Sequence, residues 1–105
     1  MTVWVVNTVS WSLDSALQFG DLRYINGKYI YADALLPDGG IPNGFFDNMV
    51  AAVEQFDPST DYLLIVGDHL QLLQMTALLT HAYSKFRALR YDRQAQGYFP
   101  VTIEA

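Results

Sequence analysis

The sequence predicts a small mixed β-sheet with two main helices packed against it, an α/β (or α+β) domain over residues 1–105. Three observations carry that prediction. Two wholly apolar runs, Val3-Trp4-Val5-Val6 and Tyr62-Leu63-Leu64-Ile65-Val66, have the pattern of strands buried on both faces. Two segments of helical spacing accompany them. The order strand, helix, strand between Tyr62 and Tyr91 predicts one right-handed βαβ crossover.

Taken in order, Thr2–Val9 reads as a buried strand, rich in β-branched and aromatic residues. Ser12 is placed to cap a short helix over Leu13–Phe19, with Gly20 as its left-handed C-terminal residue. An irregular strand is the rival reading of that stretch. Asn26-Gly27 stands between Leu22-Arg23-Tyr24-Ile25 and Lys28-Tyr29-Ile30-Tyr31, and this dipeptide favours a two-residue type I′ hairpin turn. In that register Tyr24 faces Tyr29 and Leu22 faces Tyr31, all four on one face of the hairpin.

Pro37–Gly44, with three glycines and two prolines, is a loop. Asn43 can cap the helix Phe45–Phe56, where Phe45, Met49, Val53 and Phe56 recur at helical spacing and Phe46 and Val50 widen the stripe. Tyr62–Val66 is expected in the sheet interior, next to Thr2–Val9 or Phe86–Tyr91. Gly67 ends it. Asp68, with Gln71 three residues on, makes a capping-box-like start to a helix of about 69–84, whose apolar side comprises Leu72, Leu73, Met75, Thr76, Leu79, Ala82 and Tyr83. Phe86–Tyr91 and Tyr98–Ile103 form a terminal hairpin, the latter strand at an edge because Pro100 lacks a ladder donor.

Composition narrows the chemistry. There is no cysteine, which excludes disulfides, thiolate metal sites and cysteine nucleophiles. The net charge of −5 argues against general affinity for nucleic acid or anionic lipid. Residues 1–61 hold most of the acid, two cations against eight carboxylates. No apolar run reaches the ~18–20 residues of a membrane span. The amino terminus lacks the basic region of a signal peptide, so the expected location is cytoplasmic, the host cytoplasm for a viral protein.

Gly39 and Gly44 have the spacing of a phosphate loop, but Phe45 and Phe46 stand where lysine and serine or threonine are needed. His69 and His81, the only histidines, would lie about 18 Å apart on one helix at ~1.5 Å per residue and cannot share an ion. No metal, cofactor or catalytic residue is assigned. Two groups of residues remain as site candidates. Gly67, Asp68 and His69 lie where open α/β sheets bind ligands, at a strand's carboxyl end and a helix's amino end. The structural alternative is an ordinary cap, since the Asp68 carboxylate would itself occupy the helix N–H groups. A formed pocket there would favour ligand binding. Tyr24, Tyr29 and Tyr31 are candidates for a protein-binding face, since tyrosine is enriched at interfaces. Their structural alternative is a hairpin laid on a helix. Lys85, Arg87, Arg90, Tyr91, Arg93 and Tyr98 interleave cations with aromatics, as on single-strand nucleic-acid surfaces. The acidic net charge favours instead a strand bordered by arginines.

Asp61-Tyr62-Leu63-Leu64-Ile65-Val66-Gly67-Asp68, Leu89-Arg90-Tyr91-Asp92-Arg93 and Tyr98-Phe99-Pro100-Val101 together give a chain that resembles small uncharacterised accessory proteins of tailed bacteriophages. The resemblance implies no particular activity; it implies binding to a host or viral protein. The functional expectation is a non-enzymatic acidic interaction module, with a protein partner or a second copy of itself. The alternative is a small-ligand or nucleotide-linked enzyme with its site at Gly67–His69.

Overall fold

The two apolar runs become adjacent strands, and the remaining elements are arranged around that pair. A computed structural model describes residues 1–27 and 43–105. Along the chain run β1 (Thr2–Val5), a 3-10 helix (Asp14–Phe19), β2 (Asp21–Tyr24), α1 (Asn43–Gln55), β3 (Tyr62–Leu64), α2 (His69–Tyr83), β4 (Lys85–Asp92) and β5 (Gly97–Glu104). Among the described residues the sheet has the order β2-β1-β3-β4-β5. The first four strands are parallel to one another and β5 is antiparallel to β4. The expected fold class is therefore present, and β3 is interior, between β1 and β4. Ile65 extends its ladder by donating its N–H to the Leu89 carbonyl at 3.0 Å. Pro100 lies on the edge strand opposite Leu89.

Alternation of side chains divides the core in two. Trp4, Val6, Leu63, Phe86 and Ala88 face Met49 and Ala52 of α1, Phe56 just after it, and Met75 and Leu79 of α2. Val3, Val5, Tyr62, Leu64, Leu89 and Tyr98 face the other way, onto Leu13 and Ala16 at the 3-10 helix. The unbroken apolar runs Val3–Val5 of β1 and Tyr62–Leu64 of β3 follow from this, since both are covered on both faces.

Several local expectations need correction. The short helix is a 3-10 turn that starts at Asp14, although Ser12 Oγ does accept the Asp14 N–H at 3.2 Å. Gly20, at φ 150°, is required for space as well: a Cβ there would meet the Met1 carbonyl oxygen at 2.7 Å. The type I′ turn at Asn26-Gly27 does not form. It needs positive φ at both residues, and only Gly27 has it. The segment continues alongside β1, where Ile25 and Asn26 donate their N–H groups to Val5 and Val6 at 2.8 and 2.9 Å. An open parallel edge on β1 has overridden the local turn preference. The hairpin's second strand, with Lys28, Tyr29 and Tyr31, and the Pro37–Pro42 part of the loop lie outside the described residues, as does the side chain of Asn43. In α1, Phe46 and Val50 are exposed and do not widen the buried stripe. In α2, Leu73 and Ala82 are exposed and the polar Gln71 is buried in their stead.

Asp61 is the buried group that the sequence reading overlooked. Its carboxylate accepts the Trp4 indole N–H (3.0 Å), the backbone N–H groups of Thr2 and Asp57 (both 3.0 Å) and the Thr60 hydroxyl (3.2 Å). Burial pushes the carboxyl's pKa up, but these four donors outweigh it and hold the group below its ordinary value of 3.8. A carboxyl lowered in the folded state contributes stability above its unfolded pKa, and that stability is lost as pH falls through the folded value. Thermal unfolding should thus become easier below about pH 3.9. Asp61→Asn should lose about 2–3 kcal/mol at pH 7 and show a shallower acid slope, with the exposed Asp57, lowered by its bonds to Ser59, accounting for part of what remains. Melting curves of both proteins between pH 7 and 2 check this; equal slopes would remove Asp61 from the account.

Candidate functional site

The strand order places a reversal between β1 and β3. The chain leaves β1 toward the face that carries the 3-10 helix and leaves β3 toward the face that carries α2. In open α/β sheets the crevice at such a reversal, beyond the carboxyl ends of the strands, is the usual ligand position. Here the protein's own carboxamides fill it. Asn7, fully buried just after β1, donates its Nδ2 to Gln71 Oε1 at 3.0 Å and accepts the Asp68 N–H on Oδ1 at 3.1 Å. Asn26 Nδ2 reaches the same Gln71 oxygen at 2.8 Å, and Asn48 of α1 donates to Asn26 Oδ1 at 3.1 Å. Gly67, at φ 106°, allows this closure, because a Cβ would stand 2.9 Å from Val6 Cγ2 and 3.0 Å from Asn7 Oδ1.

Asp68 is a true N-cap: its Oδ2 accepts the Gln71 N–H at 3.0 Å. Only half of the expected capping box exists, because the Gln71 side chain turns to Asn7 and Asn26 and leaves the Asp68 N–H to Asn7. Gly67 and His69, by contrast, line a cavity of about 800 Å³ that opens beside the reversal, at the carboxyl ends of β3 and β4. Its other walls include Trp11, Ser12 and Ser15 from the segment after β1, and Tyr91, Arg93 and Tyr98 from the β4–β5 hairpin. Tyr91 and Tyr98 meet edge to face at 5.2 Å between ring centres. Burial raises the pKa of the Tyr98 phenol, a hydrogen bond with Trp11 opposes it, and Tyr91 adds to the rise. The phenol is therefore neutral over the physiological range.

The structure thus separates the candidates. Gly67 and His69 share a cavity, Asp68 serves the helix, and Tyr24 is exposed on β2 away from the cavity lining. Tyr29 and Tyr31 are outside the described residues. The cation-rich segment also divides. Arg87 lies over the Tyr62 ring, 4.4 Å from its centre, and donates to the Tyr62 hydroxyl and the Ser59 carbonyl, whereas Tyr91, Arg93 and Tyr98 join the cavity. Trp11 carried no signal in the sequence, since it belongs to no periodic element. Among the described residues no three His, Asp or Glu side chains assemble as a metal site, and no helix is long and apolar enough to cross a membrane.

An open mixed sheet of this size, with its reversal sealed and a cavity alongside, defines a small α/β protein without a recognised catalytic motif. The chain belongs to the phage Pam3 gp32-like protein family, whose model matches residues 1–105, and it is accordingly a phage protein. Comparison with curated proteins and with solved structures gave no match in either case.

The cap makes a direct prediction. Asp68→Ala should cost about 0.5–2 kcal/mol in chemical denaturation, the usual loss for an N-cap carboxylate. Gln71→Leu should cost about 1–3 kcal/mol, because it strands the amide donors of Asn7 and Asn26. If Asp68→Ala leaves stability unchanged, the carboxylate is not acting as the cap.

Proposed function

We propose that this phage protein is an accessory factor that works by binding another protein, and that the outer face of α2 is its contact surface. The observation that supports this reading is the composition of α2 against its exposure. Across fifteen residues, His69–Tyr83, the helix has no Asp, Glu, Lys or Arg. One face, with Gln71, Met75 and Leu79, is buried against the sheet. The opposite stripe, Leu70, Leu73 and Ala77 at spacings of three and four, stays in water, with Leu70 41% and Leu73 69% exposed. Two leucines left in water on one face of an uncharged helix are apolar surface that the fold itself does not cover. A shallow, mostly apolar groove of about 360 Å³, lined by Leu63, Ile65, His69, Leu72, Leu73, Thr76 and Ile103, offers a pocket for an anchoring side chain. The tyrosines first singled out take a secondary place in this proposal, with Tyr24 as an exposed residue on the β2 edge.

Leu73→Glu tests the reading. Because the side chain is exposed, the variant should melt within about 0.5 kcal/mol of the parent. Its recovery of partners from infected-cell extract, measured by quantitative mass spectrometry, or its self-association in sedimentation, should fall at least about tenfold, the effect of removing one interface anchor. Identical recovery and identical self-association would end the proposal for this face. A second reading, a small-molecule site at Gly67 and His69, is favoured by the cavity they line.

A further inference from the structure

The cavity beside the sealed reversal has a composition unlike the rest of the chain. The protein has eleven Asp and Glu residues, yet none is among the side chains that line it. Its formal cation is Arg93, accompanied by the titratable His69. Three aromatic rings share the walls. Trp11 is 58% exposed and Tyr91 46% exposed, so both present ring surface to the open space, and Tyr98 behind them is pinned by its contacts with Trp11 and Tyr91. Ser12 and Ser15 add hydroxyls at the rim. Three carboxylates adjoin lining residues in sequence: Asp68, which accepts the Gln71 N–H, Asp92, which accepts the Gln94 N–H, and Asp14 beside Ser15.

From this arrangement we infer that the cavity binds a planar aromatic anion of the nucleoside monophosphate class, its ring against Trp11 and Tyr91 and its phosphate against Arg93. The inference rests on the ligand-site reading of Gly67 and His69; the cavity shares Ile65, His69 and Leu72 with the groove beside α2, but not Leu73. Size agrees, since pockets for small ligands span roughly 300–1,000 Å³. Aromatic faces stack on any base at about 1–3 kcal/mol per base. A guanidinium gives a phosphate two parallel hydrogen bonds and a charge that is not lost at any physiological pH. In an acidic protein, an anion is repelled from much of the surface and is drawn to a cavity whose lining holds Arg93 and no carboxylate. Two features keep that lining in place: the Asp68 N–H bonded to the Asn7 side chain, and the β4–β5 ladder that carries Tyr91 and Tyr98 as a directly opposed pair.

The experiment is titration of the full chain with AMP, CMP, GMP and UMP, followed by tryptophan fluorescence and calorimetry. Trp4 is buried, so the fluorescence change reports Trp11. At least one nucleotide should saturate at millimolar concentration or below. The matching nucleoside and inorganic phosphate should each bind at least about tenfold more weakly, as should the nucleotide to Arg93→Ala and Tyr91→Ala, tenfold being about 1.4 kcal/mol. Arg93 is exposed and its replacement leaves the fold intact; should Tyr91→Ala unfold, Trp11→Ala supplies the aromatic arm. Leu73→Glu should bind the nucleotide like the parent, which separates this site from the α2 face. The proposal is overturned if no nucleotide saturates, if inorganic phosphate binds as tightly as the nucleotide, if the cavity variants bind unchanged, or if only an oligonucleotide binds.

Discussion

The buried carboxylate of Asp61 is the constraint on which the rest of this molecule depends. Four donors converge on it: the Thr2 N–H and the Trp4 indole of β1, the Asp57 N–H just after α1, and the hydroxyl of the neighbouring Thr60. A charge in that position is tolerated only because every lone pair is engaged; with one donor missing it would destabilise the fold. Its effect is to fix the amino ends of β1 and β3 in one register, Val3 opposite Tyr62. At the other end of the same two strands, Gln71 collects Asn7 and Asn26 on a single carbonyl oxygen. The central pair is thus held by an ionised group at one end and by neutral amides at the other. Parallel strands have no local turn to set their register, and these two polar clusters set it here.

The sequence disclosed much of this frame and missed the polar parts of it. Val3–Val6 and Tyr62–Val66 were legible as two-sided strands because burial on both faces leaves no polar position. The β4–β5 hairpin was legible for the opposite reason: its strands are local and Pro100 marks the edge. β2 was misread. Asn26-Gly27 is a good local turn, but β1 offered an unpaired edge, and two backbone bonds to Val5 and Val6 decided the conformation. A preference of one dipeptide is a few tenths of a kcal/mol to about one, less than a pair of ladder bonds can supply. Asp61, Asn7 and Gln71 were overlooked because residues of their types are usually exposed. Nothing in their spacing says that residues about sixty positions apart in sequence satisfy one another.

Helix faces show the same limit. Apolar spacing in α1 named Met49, Val53 and Phe56 correctly, yet it added Phe46 and Val50, which remain in water. In α2 the apolar residues occur all round the helix, so periodicity could not tell the face on the sheet from the face in solvent. The structure resolves this by burying Gln71, Met75 and Leu79, one residue of which is polar, and leaving two leucines outside. The exchange is intelligible only with the carboxamide cluster in view: Gln71 must be inside to close the reversal, and its rotation toward Asn7 sets the angular position of Leu70 and Leu73.

That closure also accounts for the location and sign of the cavity. Filling the β1–β3 crevice with Asn7 and capping α2 with Asp68 removes the position where a strand order of this kind would otherwise admit a ligand. The next gap along the carboxyl edge lies between β3 and β4, and its far wall belongs to the β4–β5 hairpin, which supplies Tyr91, Arg93 and Tyr98. Sealing the crevice with neutral amides, instead of an ion pair, adds no carboxylate beside that gap. Asp68 is engaged by a helix N–H, and Arg93 is the formally charged side chain in the lining. An acidic chain thereby presents an aromatic opening with Arg93 in its lining, and the three groups that create it are a tryptophan in an irregular segment, a hairpin, and a glycine at a positive φ that other residues rarely adopt.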